Sequence, residues 1–598
     1  MRKTKIVCTI GPATASKEKI RALIERGMNV ARLNFSHGTH ADHAQVVQWI
    51  YQLQEELSSP IAIMLDTKGP EIRLSTFSPS GQKVSFQKGE QLTLVPEGEE
   101  NLEAGLLPIS PGEVLSFLEV GMEILFQDGF LTSHVVWREE NRVCIQMHQS
   151  GELSSGRGVN IPQITIPLPA LTRKDREDLI FGCTLGVHFV AASFVRSARH
   201  LLQIRQLLIE QKRPDISLLA KIENREGVEQ FEEILQVADG ILIARGDLGV
   251  ELPLEEVPHL QKEMISRCSL AGKLSITATQ MLESMMYQSR PTRAEVSDVA
   301  NAIYDRTSAV MLSGETAQGN YPLESLETMV RIISKAEETI CHLRNFSREK
   351  EKTEVMRGVA RSAVEMAHRL QAQAIFVFTR EGRIAQILSS FFPSVPLLSL
   401  TSDPHTYHKL SLLWGVTPLL HPSIEGFEEA FCTISHYALA HRLLSRGDLI
   451  VIMAGTLFSL PGMTHTLVVR RVGQVIAKGF QAVGKNFSGQ IIYRKGLEKE
   501  KGTPLKESIL LVEHWEKEDF ALFCQARGVI LELSSHSPSV NRELMEAAES
   551  YGFSLLITCE HLSFLLCQGR GVMVDTEKQF IYLQDKEGDL MNGKEKNP

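Results

Sequence analysis

The first half of the chain repeats one pattern. Short apolar runs rich in Val, Ile, Leu and Ala alternate with stretches of helical spacing. Such alternation predicts parallel strands joined by helical crossovers. The candidate strands are Lys5–Ile10, Asn29–Asn34, Ile61–Asp66, His188–Ser193, Ser217–Glu223, Gly240–Ala244, Leu274–Thr279 and Ser308–Ser313. Eight strands close a (β/α)8 barrel, assigned to residues 1–69 and 169–345. The gap between the third and fourth, about 120 residues, is too long for a crossover loop. Inside it, strand-like alternation (Ile124–Phe126, Val143–Met147) comes with frequent Gly and Pro and little helix. An inserted β-barrel lid over 70–168 is expected.

Near residue 350 the pattern restarts. A helix over Arg357–Leu370, apolar at Val359, Ala363, Met366, Ala367 and Leu370, leads into a strand at Ala374–Thr379. Further strands at Pro396–Thr401, Leu449–Met453 and Thr466–Val472 complete an α/β domain over 350–475. A charged stretch, Arg494–Lys506, precedes strands at Ser508–Val512, Gly528–Leu533, Ser554–Thr558 and Val572–Val574. These predict a fourth, small α/β domain over 478–590, with a polar tail from Glu587 to Pro598. The fold class is therefore α/β, a TIM barrel with three attached domains.

Composition narrows the picture. A chain of 598 residues exceeds a single core. A net charge of −9 argues against a nucleic-acid partner. No apolar run reaches membrane-spanning length, since Leu449–Leu460 is broken by Gly455 and Thr456 and closed by Pro461. The basic start, Met1 to Lys5, precedes too short an apolar run for a signal peptide. Nine cysteines without a CxxC pair point to free thiols in a reducing compartment, and so to the cytoplasm.

In a barrel of this kind the chemistry sits at the carboxyl ends of the strands. Here those ends carry Arg32 and Asn34, Asp66, Ser193, Lys221 and Glu223, Arg245 and Asp247, Thr279, and Ser313 with Glu315. One such pair reads equally well as a structural ion pair. Seven strand ends of this sort do not, because buried pairs rarely repay their desolvation. Glu223 and Asp247 are hard oxygen ligands suited to Mg²⁺ or Mn²⁺. The turn Ala244-Arg245-Gly246-Asp247-Leu248-Gly249 offers backbone N–H groups to an anion such as a carboxylate. Arg32 and Lys221 are cations able to stabilise a phosphoryl group or an enolate. Together they suggest an α-keto or enol acid and a phosphoryl group.

Several long motifs resemble the pyruvate kinase family: Met28–Gly38, Leu65–Arg73, Lys221–Asn224, Ala244–Gly249, Ala278–Met285 and Leu312–Thr316. The resemblance runs over about 1–475. It implies transfer of the phosphoryl group of phosphoenolpyruvate to ADP, with Mg²⁺ (or Mn²⁺) and K⁺ as cofactors, in a homotetramer. By that resemblance Glu223 and Asp247 bind Mg²⁺. Ala244, Arg245, Gly246 and Asp247, through their backbone, hold the substrate carboxylate together with Thr279. Lys221 and Arg32 serve the phosphoryl group. Asn34, Ser36, Asp66 and Thr67 match K⁺ ligands, and His37, Arg73 and Lys174 match nucleotide contacts. An acid at Glu71 goes with K⁺ activation in the family. The competing readings are a Mg²⁺-dependent lyase or aldolase on the same barrel, and a silent paralogue. The lid with Arg73 and Lys174 argues against the first, and the intact strand ends argue against the second.

Two places depart from the family pattern. His188 stands where an acid is more usual, far from the chemistry. Asp128-Gly129 keeps a turn typical of the lid. In the loop Thr379-Arg380-Glu381-Gly382-Arg383-Ile384, Glu381 and Ile384 replace hydroxyls that bind a sugar phosphate in relatives, and Glu381 puts an anion in an anion site. The stretch Ile530–Ser537 faintly resembles the Thr-Ser-His motif of the swivelling phosphohistidine domain of phosphoenolpyruvate-utilising enzymes. His536 falls at the acceptor position, but the preceding glycines are missing and Glu532 takes their place. A packing or regulatory role is the stronger expectation for that domain.

Overall fold

The computed structural model describes residues 2–583 apart from 77–82, 99–104, 128, 140, 163–168, 341–354, 422–425, 455–465, 474, 495–504, 534–537, 560–561 and 563–569. Asp128, His536 and the polar tail therefore lie outside the described residues. Contacts divide the chain into two compact units. The first holds Met1–Glu365, Ile375–Ile424 and Met453–Thr466, and the second Met366–Ala374, Glu425–Ile452 and Leu467–Pro598.

In the first unit, eight parallel strands close a barrel in which each strand neighbours its predecessor and successor. They are Lys5–Ile10, Val30–Asn34, Ala62–Asp66, Phe189–Ala192, Ser217–Ile222, Gly240–Ala244, Leu274–Ala278 and Ala309–Leu312. Nearly every position is buried, which is why these strands read as continuous apolar runs rather than alternating ones. Capping boxes start three of the crossover helices: Thr39 with Asp42, Thr172 with Asp175, and Thr292 with Glu295.

The inserted lid is a seven-stranded sheet with a separate two-stranded ribbon. Its edge strands, Arg73–Leu74 and Val159–Asn160, approach through one isolated bridge from Arg73 to Gly158. The sheet is therefore nearly closed rather than the full barrel expected from the sequence. The lid has its own core, including Leu94, Leu107, Ile124, Val135, Val143 and Ile145. After the barrel, Leu397–Thr401 pairs in parallel with Ala374–Phe378 on one side and Val416–Leu420 on the other.

In the second unit, eight strands form a mixed sheet. Its centre is parallel: Phe487–Arg494, Ser508–Val512, Gly528–Glu532 and Leu555–Thr558. Val475–Lys478, Gln481–Val483, Gly571–Asp575 and Phe580–Leu583 flank it in antiparallel pairs. Among the described residues no helix is long and apolar enough to cross a membrane.

Candidate active site

Strand alternation puts Lys221 and Glu223 on one face, and their charged groups meet at 2.9 Å. Lys221 Nζ also lies 3.1 Å from Asp66 Oδ1 and donates to Ser193 Oγ at 2.7 Å. On the far side of Asp66, Arg32 Nε donates to Oδ2 at 2.6 Å while its Nη1 donates to Thr9 Oγ1 at 2.9 Å. Ser193 Oγ in turn donates to Thr67 O at 2.6 Å. Glu223 accepts the Phe194 N–H at 2.6 Å. Arg32, Asp66, Lys221 and Glu223 are 8 %, 1 %, 8 % and 2 % exposed, so these charges interact with little water between them.

The electrostatics follow from that arrangement. Burial alone would push the Lys221 ammonium down, but Asp66 and then Glu223 outweigh it and its pKa is raised. Burial would likewise push Asp66 up, and Arg32 and Lys221 reverse this, holding it below the usual carboxylate range. Lys221 is therefore held in its charged form, which lacks the lone pair a base needs. Two cations balance two carboxylates. Asp247, in the first turn of the helix Arg245–Glu251, adds a further negative charge close enough to act on Lys221.

That helix follows the sixth strand, whose Ile243 pairs with Ile222 of the fifth, so Asp247 and Glu223 leave neighbouring strand ends. Both offer only hard oxygen atoms. Among the described residues no three His, Cys, Asp or Glu side chains converge as a metal cluster. A metal here would rest on two carboxylates and complete its shell with water and substrate oxygens, a set that fits Mg²⁺.

Thr279 faces the start of the same helix, with Oγ1 accepting the Gly246 N–H at 2.8 Å. Thr279 and Gln280 have φ of +64° and +53°. A β-branched residue in the left-handed region costs about 1–3 kcal/mol. Arg245 holds this strained pair in place. Its guanidinium donates to Thr279 O at 2.7 Å and Gln280 O at 3.2 Å, and Asp298 fixes it at 2.7–2.8 Å. The Arg245 side chain is thus a backbone clamp, and only the backbone of this residue could serve a substrate.

The remaining expected residues gather around the second and third strands. Asn34 is in register with Asp66, and its Oδ1 accepts the Ser36 N–H at 3.1 Å. Thr67 Oγ1 accepts the Ser193 N–H at 3.0 Å. His37 is exposed, and its pKa is lowered by partial burial and then by Arg73 and Arg32, which places all three in one neighbourhood. Arg73 Nε donates to Glu71 at 2.6 Å. Lys174 Nζ donates to Phe35 O at 2.8 Å and to Asp178 at 2.6 Å.

Sequence reasoning did not assign roles to Thr9, Ser193, Asp178 or Asp298. Ser193 stands at a strand end, so the same rule reaches it. Asp298 lies mid-helix and far along the chain from Arg245, without a local signal. The loop Thr379–Arg383 is elsewhere in this unit, where Thr379 Oγ1 accepts the Gly382 N–H at 3.0 Å. It borders a cavity of about 790 Å³ with Arg205, Lys273 and Lys409.

Two family models match the chain: the pyruvate kinase barrel domain over residues 1–326 and the pyruvate kinase alpha/beta domain over 357–470. A pyruvate kinase of Sporosarcina psychrophila is 38% identical over 591 residues, covering 97% of this chain and 99% of the relative. One from Clostridium acetobutylicum is 40% identical over 474 residues, covering 79% of this chain and 100% of the relative. The crystal structure of a pyruvate kinase from Cryptosporidium parvum matches with a TM-score of 0.73 at 34% identity, over 79% of this chain and 96% of that one. With both models in chain order and relatives aligned along nearly their whole length, the chain belongs to the pyruvate kinase family.

Proposed function

We propose that this enzyme transfers the phosphoryl group of phosphoenolpyruvate to ADP, giving pyruvate and ATP. The observation that carries the reading is Lys221, buried and kept charged between Asp66 and Glu223 at the mouth of the barrel. In-line phosphoryl transfer needs positioning and charge neutralisation more than covalent help. Arg32 and Lys221 clamp the phosphoryl oxygens and orient the group toward an ADP oxygen. The bond from phosphorus to the enol oxygen breaks as the bond to ADP forms. Lys221 then faces the enolate left behind. The enolate takes a proton at its terminal carbon through water near Thr279, because a permanently charged lysine is a poor shuttle at neutral pH. The backbone of Ala244 to Asp247, with the Thr279 hydroxyl, holds the substrate carboxylate.

Glu223 and Asp247 are the residues that would hold Mg²⁺ or Mn²⁺. Such an ion supplies positive charge against the phosphoryl and enolate oxygens. In this reading Asn34, Ser36, Asp66 and Thr67 offer oxygens to K⁺, and His37, Arg73 and Lys174 are the nucleotide contacts. Glu71 favours K⁺ activation. A homotetramer in the cytoplasm belongs to the same family-based reading. The second unit's mixed sheet is not required for the chemistry in this reading, and its role is taken as packing or regulation. The Clostridium relative, aligned over its full length, matches only 79% of this chain.

The test is pyruvate release from phosphoenolpyruvate with ADP and Mg²⁺, with and without K⁺, for the full chain and for a truncation near 475. Turnover in both forms, raised by K⁺, is expected. No turnover in the full chain rejects the reaction. A rate unchanged when Na⁺ or Tris replaces K⁺ rejects the monovalent site alone.

A further inference from the structure

One contact between lid and barrel has no part in the chemistry above. Asn160, in the last lid strand, donates through Nδ2 to Glu251 Oε1 at 2.9 Å. Its strand pairs with Glu123–Phe126, Asn160 opposite Leu125. The turn after Phe126 returns to the same place, since a Cβ on Gly129 would lie 3.7 Å from Val250 Cγ1. One corner of the lid thus rests on Val250 and Glu251.

Both residues end the helix Arg245–Glu251, whose other end carries Gly246 and Asp247. A helix of this size is a rigid rod about 10 Å long. Leu248 anchors its middle in the core at 0 % exposure, and Arg245 ties its start to Asp298. A force on the lid end therefore reaches the carboxylate-binding end without being absorbed by bending.

Glu251 is placed to report on the lid. It is partly buried, and burial pushes its carboxyl up against the opposing effects of the Asn160 hydrogen bond and of Arg225. Arg225 starts the helix that follows Lys221–Asn224, so Glu251 faces the lid, its own helix and the fifth strand end together. A carboxylate withdrawn from water needs a partner, and Asn160 supplies one from the lid side.

We propose that Asn160 and Glu251 are the catch of the lid: positioning residues whose hydrogen bond holds the lid down over the nucleotide and fixes the 245–251 helix at the same time. The proposal rests on the reading of ADP as the second substrate, because the nucleotide is what the lid covers. Loss of one hydrogen bond from the closed state shifts the closing equilibrium by about ten-fold.

The test is a double-mutant cycle, with hydrogen exchange alongside kinetics. N160A and E251A should each lower kcat/KM for ADP about ten-fold, with a smaller change in KM for phosphoenolpyruvate, and the double variant should be no worse than either. E251Q keeps an acceptor for Asn160 and should stay within about two-fold of the parent. The amides of Leu74 and Val159 donate to Arg157 O and Ile72 O, joining the segments that enter and leave the lid as its hinge; they should exchange faster in N160A and E251A, while Val143 and Ile145 in the lid core stay protected. Additive losses, an E251Q defect equal to that of E251A, or unchanged hinge exchange overturns the catch. If the parent enzyme fails to turn over phosphoenolpyruvate, the reaction is wrong, and the exchange measurement still decides the catch.

Discussion

Two lysines are buried at opposite ends of one barrel. Lys221, at the carboxyl end of the fifth strand, is 8 % exposed; Lys5, at the start of the first, is 7 % exposed. Their charge states diverge. Lys221 has Asp66 at 3.1 Å and Glu223 at 2.9 Å, and its pKa is raised. Lys5 donates to the Val416 carbonyl at 2.7 Å, and burial, with repulsion from Arg2, lowers its pKa to about 7 despite Glu337. Burial is nearly equal, so burial does not decide the charge. A carboxylate within contact distance does. The end of the barrel that assembles carboxylates keeps its lysine charged, and at the other end burial lowers the pKa of a lysine that donates to a backbone carbonyl.

The sharpest way to break this comparison is to delete each ammonium with a methionine. Lys221→Met should lower kcat by at least about 10³-fold, the scale of removing a preorganised charge from the transition state. Mg²⁺ binding should survive, since Glu223 and Asp247 remain. Stability should fall as well, by about 3–5 kcal/mol, because Glu223 and Asp66 lose a buried partner. Pyruvate release, Mg²⁺ titration and thermal melting check the three parts. Near-normal turnover would show that the charge at this end is not used.

Lys5→Met should act in the opposite direction. The folded value near 7 lies below the unfolded value of 10.5, so the unfolded chain binds the proton more tightly. The cost to the fold is full below pH 7 and is relieved as pH rises toward 10.5, at about 1.4 kcal/mol for each pH unit between the two values. The variant should therefore melt several degrees higher at pH 7, at about 2–4 °C per kcal/mol, and the gain should vanish near pH 10.5. Turnover should be unchanged. A lower melting temperature at pH 7 would mean that the Val416 hydrogen bond outweighs the buried charge.

The contrast between these ends also marks what the sequence could tell. The barrel was legible because its strands are buried on both faces, and the candidate site because charge at so many strand ends has no structural rationale. Lys5 was not legible, since Arg2-Lys3-Thr4-Lys5 reads as an exposed basic start and nothing local announces that Val416 covers it. The strand Val416–Leu420 was missed because Pro418 argues against a strand, though an edge strand tolerates it. Phe487–Arg494 was missed for its Gly489, yet a Cβ there would come within 2.5 Å of Glu507 O, so the close strand approach needs glycine. The clamp from Asp298 through Arg245 and the catch from Asn160 to Glu251 join segments distant in sequence, and spacing carries no trace of either.

The smallest expected effect lies at the barrel end that carries Lys5. His188, 2 % exposed, stacks on His405 with ring centroids 4.9 Å apart and lies 5.0 Å from His408. The charged groups facing this cluster are Asp215, 3.1 Å from His405 Nε2, with Arg213, Lys409 and Asp403. Burial lowers all three imidazoles, His408 to about 4. The folded values lie below the unfolded 6.5, so the stability of the neutral cluster is fully present above pH 6.5 and is lost as pH falls toward 4. His188 Nδ1 accepts the Ile63 N–H at 3.0 Å, and asparagine can place Oδ1 in that position. His188→Asn should therefore keep the fold and the pH 7 turnover while flattening the acid limb of the melting curve, by at most about 1.4 kcal/mol per pH unit for one proton. Melting temperatures of both proteins between pH 7 and 4.5 decide it. Parallel curves would mean that the cluster does not titrate with unfolding, and that the two ends of the barrel differ for lysine alone.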